Sequence, residues 1–112
     1  VADQLPDSNP IKGVSLTFFK NYEGKYPQVR NGFAGYAYDT FLLVQAAIPG
    51  ALAKAAPGTP EFRQAMRDSL ESIKELVGTQ AIYSMSPQDH NGVDKRARVL
   101  VRVQDGEFRL YQ

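Results

Sequence analysis

Residues 31–48, NGFAGYAYDTFLLVQAAI, are the most apolar stretch of the chain, and the reading of the rest depends on them. After the Asn31-Gly32 turn signal, only Asp39, Thr40 and Gln45 carry strongly polar side chains. Phe33, Ala37, Phe41, Val44 and Ile48 recur at helical spacing and fall on one stripe. Tyr36, Leu43 and Ala47 widen it. A helix that is apolar over most of its circumference must be covered on more than one side, so the spacing predicts a central packing element.

Toward the N-terminus, Val1 to Asn9 holds Asp3, Pro6, Asp7, Ser8 and Asn9 and reads as an extended lead-in. Ser8 or Asn9 is suited to cap a helix that opens with Pro10, where a missing N–H costs nothing. Ile11, Val14, Phe18 and Tyr22 mark its apolar face, and Pro27 confirms a stop near Gly24 to Tyr26.

Toward the C-terminus, Pro49-Gly50 interrupts the apolar helix, but Ala51 to Ala56 favour its continuation until Pro57-Gly58. Thr59-Pro60-Glu61 is a helix start, and Phe62, Met66, Leu70, Ile73 and Val77 predict a buried stripe running to a stop at Gly78. Beyond it the period becomes alternating. Ala81 to Met85 predicts a short strand, Ser86 to Val93 a loop, and Ala97 to Gln104 a strand. Asp105-Gly106 is a two-residue hairpin signal that pairs Val103 with Phe108 and Val101 with Leu110 on an expected buried side. The same register sets Arg102 opposite Arg109 on the outer face. The chain is thus read as a single unit, 1–112, with a lead-in (1–9), a helical part (10–78) and a strand and hairpin part (79–112).

A chain of 112 residues supports one small domain. Thirteen Lys and Arg against twelve Asp and Glu, interspersed, offer no basic stripe for nucleic acid. The absence of cysteine removes disulfides and thiolate metal sites. No apolar run reaches the ~18 residues of a membrane span. The opening Val1, with no basic and apolar leader behind it, reads as a processed product or an excised fragment.

Ser86, Asp89, His90 and Asn91 share one loop, whereas a nucleophile, its base and an orienting acid usually come from separate elements. That loop is read as a turn whose Asp, Asn and Gly satisfy the backbone locally. Asp89 to Asp94 resembles the start of a calcium loop, but the late acid is missing and Lys95-Arg96-Ala97-Arg98 opposes a cation. Gly32-Phe33-Ala34-Gly35 lacks the preceding strand of a phosphate loop. No catalytic residue, metal or cofactor is assigned, and the chain is read as non-enzymatic.

Gly32-Phe33-Ala34-Gly35-Tyr36-Ala37-Tyr38-Asp39, then Gly78-Thr79-Gln80-Ala81-Ile82-Tyr83-Ser84 and Ser86-Pro87-Gln88-Asp89-His90-Asn91-Gly92, resemble the C-terminal part of a solute receptor. The family is the periplasmic substrate-binding proteins of branched-chain amino acid type ABC transporters, the type I periplasmic binding proteins. The resemblance extends from Val1-Ala2-Asp3-Gln4-Leu5-Pro6 to Asp105-Gly106-Glu107-Phe108-Arg109-Leu110. It implies an α/β fold of two Rossmann-like lobes, of which this chain supplies the last part, seen alone as three helices plus an antiparallel hairpin. It also implies a periplasmic protein that captures a small carboxylate, such as a branched-chain or other aliphatic amino acid or an aromatic acid, and docks on a membrane permease.

By the resemblance, Phe33 touches the solute, with Ala34 and Tyr36 as neighbours in the site. Spacing alone reads the same aromatic cluster as core, and Tyr38 and Asp39 as structural. The groups that hold the solute's carboxylate and amine lie in earlier parts of such receptors, so this chain would form one wall of the pocket. Helices that normally cover a sheet would leave Phe18, Phe19 and Phe41 exposed, and self-association is expected. The alternative reading is a self-contained α+β interaction module with no small-molecule site.

Overall fold

The computed structural model describes residues 1–27 and 31–111. Among them, helices α1 (Pro10–Lys25), α2 (Gly32–Leu52) and α3 (Pro60–Glu71) are followed by strands β1 (Leu76–Val77), β2 (Ile82–Tyr83), β3 (Val101–Gln104) and β4 (Glu107–Leu110). The strands form two separate antiparallel pairs, β1 with β2 and β3 with β4. Each helix begins where a side-chain oxygen accepts an N–H left without a partner in the first turn. Asn9 takes Ile11 at 3.0 Å, Asn31 takes Ala34 at 3.1 Å, and Thr59 takes Phe62 at 3.1 Å. α2 runs through Pro49 and ends at Leu52, a turn beyond the interruption.

The buried face of α2 is not the expected one. Phe33, Ala37, Phe41, Val44 and Ile48 are all exposed, and the line that packs inward is Gly35, Asp39, Ala47 and Ala51. The cause is steric: α3 presents Ala65 and Ser69, also buried, and small residues on both helices let the backbones approach closely. A Cβ placed on Gly50 would lie 2.8 Å from Ser69 Oγ. The large side chains would hold α3 away, and they lie on the opposite side. α2 is therefore covered along its small-residue line by α3, with lighter contacts to α1 and the β1–β2 turn, while its large apolar stripe stays open.

α1 shows a smaller shift. Its buried line is Ile11, Ser15 and Phe19, while Val14, Phe18 and Tyr22 are half-buried beside it. Phe19, expected to be exposed, is 4% exposed; Phe41 is 54% exposed. The Phe18 ring stacks on Tyr38 at 4.5 Å, which ties α1 to α2.

α3 stops at Glu71, six residues before Val77. The Ser72 hydroxyl donates to the Ser69 carbonyl at 2.7 Å and competes with the next helical turn. Glu75 then takes a left-handed conformation, φ +52°, and the chain enters β1. Val77 is therefore a strand residue paired with Ile82, and Gly78 opens the β1–β2 turn instead of ending a helix. The strand expected over Ala81 to Met85 is realised at Ile82–Tyr83.

The C-terminal hairpin has the expected register, Val101 with Leu110, Arg102 with Arg109, and Val103 with Phe108. Asp105 and Gly106 both have positive φ, +52° and +78°, as a type I′ turn requires. Its first strand starts at Val101, because Lys95–Ala97 forms a 3-10 turn capped by the Asp94 carboxylate. The side expected to be buried is open: Val101, Val103 and Phe108 are exposed, and Leu110 is half-buried. The hairpin projects from the helices, so the radius of gyration is 16.6 Å, against about 13 Å for a compact domain of this size. Arg109 is paired within its own strand, to Glu107 at 2.6 Å, which relieves the repulsion across from Arg102.

The lead-in contains a 3-10 turn, Ala2–Gln4, and is fastened to the hairpin. The Gln4 amide donates to the Phe108 carbonyl at 3.1 Å and accepts the Leu110 N–H at 2.8 Å.

Close packing on the small-residue line has a counterintuitive consequence for mutations. Ala47→Leu adds apolar volume where none fits and is expected to lower stability by about 1–3 kcal/mol. Val44→Ala, on the exposed stripe, is expected to change it by less than about 0.5 kcal/mol. Urea unfolding of the two variants checks the order.

Candidate functional site

Asp39, in the second turn of α2, is 1% exposed. Its Oδ1 accepts the Thr79 N–H at 2.6 Å, and its Oδ2 accepts the Gln80 N–H at 3.0 Å and the Tyr83 hydroxyl at 2.9 Å. The β1–β2 turn is thereby fixed against the helix. Burial, reinforced by the bond to Asp39, pushes the Tyr83 phenol well above its usual range, so it stays a neutral donor. The fit leaves no space for side chains at two glycines. A Cβ on Gly78 would lie 2.6 Å from Asp39 Oδ2, and one on Gly35 would lie 2.8 Å from Thr79 Oγ1.

This clamp determines what surrounds the first turn of α2. Phe33 is 84% exposed there; Ala34 is half-buried, with its N–H held by Asn31; and Tyr36, 57% exposed, lies one turn before Asp39. Tyr36 lines a shallow depression together with the polar Gln80, Asn91 and Arg98 and with Tyr83 and Val93. Phe33 and Tyr36 are three residues apart and so share one side of the helix. The sequence marked Phe33, Ala34 and Tyr36 but missed Gln80, Asn91 and Arg98, which come from a turn, a loop and the residue after a 3-10 turn. Their only common signal is a fold that brings them together.

The loop with the single histidine is built as a turn. Ser86 Oγ accepts the Asp89 N–H at 3.0 Å, and Asp89 Oδ1 accepts Asn91 and Gly92 N–H at 2.9 and 3.0 Å. His90 reaches Glu71 at 3.0 Å, on the surface. Among the described residues no group of three His, Asp or Glu is placed to hold a metal, and no helix is long and apolar enough to cross a membrane.

Comparison with solved structures matches this architecture as a whole. An extracellular ligand-binding receptor from Rhodopseudomonas palustris superposes with a TM-score of 0.88 at 35% identity, over 99% of this chain and 31% of that one. An extracellular ligand-binding receptor from R. palustris HaA2 gives 0.88 at 37% identity with the same coverage. A further receptor structure from that strain gives 0.86 at 38%, over 98% of this chain and 31% of that one. No protein-family model and no curated protein sequence matches. The chain is similar in sequence and fold to one segment of the extracellular ligand-binding receptors, which are type I periplasmic binding proteins. It spans 31% of the length of the receptors it matches.

The Asp39 clamp has a sharp test. An amide in place of the carboxylate puts an NH2 group against the Thr79 N–H or, flipped, against the Gln80 N–H. Asp39→Asn, though isosteric, is expected to cost about 2–3 kcal/mol in urea unfolding. A loss below ~1 kcal/mol would show that the clamp contributes little.

Proposed function

We propose that the chain works as part of the solute-binding component of an ABC importer. A small carboxylate, such as an aliphatic amino acid or an aromatic acid, would be captured in the periplasm between two lobes and delivered to a membrane permease. This chain contributes one wall: Phe33 as the apolar contact, with Ala34 and Tyr36 beside it. The observation that carries the reading is Phe33 itself. A large ring left 84% exposed at a capped helix start, in a segment matching ligand-binding receptors, fits a surface that meets a solute. The exposed stripe Phe41, Val44 and Ile48 and the open hairpin support a longer receptor whose other parts cover them.

Two measurements test this. In the full-length receptor, a panel of aliphatic amino acids and aromatic acids is screened by thermal shift, and Phe33→Ala is expected to weaken the best solute about tenfold or more with unfolding otherwise unchanged. Wild-type affinity in that variant would remove Phe33 from the site.

The second reading, a self-contained interaction module, draws on the same exposed hairpin. The two readings separate on the isolated chain. Exposed stripes that await the rest of a receptor are expected to give dimers or larger species in sedimentation at micromolar concentration, and a clean monomer favours the module.

A further inference from the structure

Asparagine followed by glycine is a chemically labile pair, because a glycine nitrogen, with no side chain to crowd it, can attack the asparagine Cγ. The chain has two such pairs, Asn31-Gly32 and Asn91-Gly92, and the fold restrains them differently. At Asn31 it is the side chain that is tied: its Oδ1 accepts the Ala34 N–H at 3.1 Å, and Gly32 already belongs to α2. At Asn91 the side chain is exposed and makes no hydrogen bond among the described residues, and it is the attacking nitrogen that is tied. The Gly92 N–H donates to Asp89 Oδ1 at 3.0 Å, and the Asn91 N–H donates to the same oxygen at 2.9 Å. The Gly92 carbonyl accepts the Ser84 N–H at 2.8 Å. Gly92 is buried at a positive φ of +62°, and a Cβ there would collide with Met85 Sδ.

We infer that Asn91 is a modification site, converting spontaneously to aspartate and isoaspartate, and that Asp89 sets the rate by restraining the Gly92 nitrogen. In this reaction the nitrogen bonds to Asn91 Cγ, the Cγ–Nδ2 bond breaks, and ammonia leaves with the proton that the nitrogen gives up. Water then opens the five-membered imide at either carbonyl. Two features of the turn oppose the first step. The peptide between Asn91 and Gly92 must rotate to bring the nitrogen to Cγ, and the hydrogen bonds on both sides of it hold it in place. The nitrogen also gathers negative charge as its proton departs, and a carboxylate oxygen 3.0 Å away disfavours that charge. Opening of the turn removes both restraints, so the conversion follows the local stability of this loop and not that of the whole fold. Asn91 lines the depression beside Tyr36. Either product leaves a negative charge there, and isoaspartate also lengthens the main chain by a methylene, which puts Gly92 out of register with the Ser84 N–H.

The test is peptide mapping by mass spectrometry of the full-length receptor, aged in mildly alkaline buffer as wild type, Asp89→Ala and Asp89→Asn, with a synthetic peptide of residues 86–93 as the unrestrained reference. Wild type is expected to convert at Asn91 about tenfold or more slowly than the peptide. Asp89→Ala is expected to speed conversion about tenfold, the effect of one hydrogen bond to a charged acceptor, and Asp89→Asn, which keeps an acceptor oxygen without the charge, to fall between. Asn31 is the internal control and is expected to convert at the same rate in all three proteins. Equal acceleration at Asn31 and Asn91 would report general loosening and overturns the inference. So does a rate at Asn91 that is unchanged or slower in Asp89→Ala, or an Asn91 that stays intact in every variant. None of these outcomes bears on the receptor reading.

Discussion

Asp39 is a carboxylate buried inside an apolar helix with no cation against it among the described residues, and its position is possible only because three donors converge on it. A lone buried charge is costly by several kcal/mol, and hydrogen bonds to a charged acceptor are the stronger kind that offset this. Two of the donors are backbone N–H groups of one turn and the third is the Tyr83 hydroxyl, so the bonds specify the turn's conformation as well as its place. From there order spreads outward. Gly78 and Gly35 must lack side chains for the turn to fit, and the Met85 N–H donates to the Ile73 carbonyl at 2.8 Å, linking the segment after β2 to the end of α3. The polar depression beside Tyr36 takes its shape from the same clamp.

What the sequence disclosed about the fold followed from local chemistry. The starts of α1 and α3 were legible because an oxygen-bearing cap and a proline in the first turn act within a few residues. The hairpin register was legible because a two-residue Asp-Gly turn and strict alternation leave one pairing. Local chemistry could not tell which face of α2 goes inward. A helix apolar nearly all round offers many faces, and the choice fell to the partner: α3, with Ala65 and Ser69, admits a close neighbour and no large ring. The end of α3 is hidden from the sequence for a related reason. Ile73 and Val77 continue the helical period, while the turn at Glu75 and the pairing of Val77 with Ile82 depend on residues downstream.

The candidate site divides along the same line. Phe33, Ala34 and Tyr36 are consecutive enough to be marked by the resemblance to solute receptors, and the structure places them together at one helix start. Arg98 was visible in the sequence only as one of several basic residues. In three dimensions it is Arg96, two residues before, that takes Glu75 and Asp94. Charge balance over a surface is a property of the folded chain, and no window along the sequence contains it.

The fastening of Gln4 to the last strand bears on the order in which the chain assembles. The two bonds join residues 104 and 106 positions apart. Closing so long a loop in an unstructured chain costs about 4 kcal/mol in entropy, more than two amide bonds, one exposed and one part-buried, return. The helical body reduces that cost by bringing Leu5 and Val99 to the walls of one shallow groove, which shortens the loop still to be closed to that from Val99 to the last strand. The clip is therefore favourable only in a chain whose interior is folded. The two termini are the part of the molecule whose order depends most on everything between them.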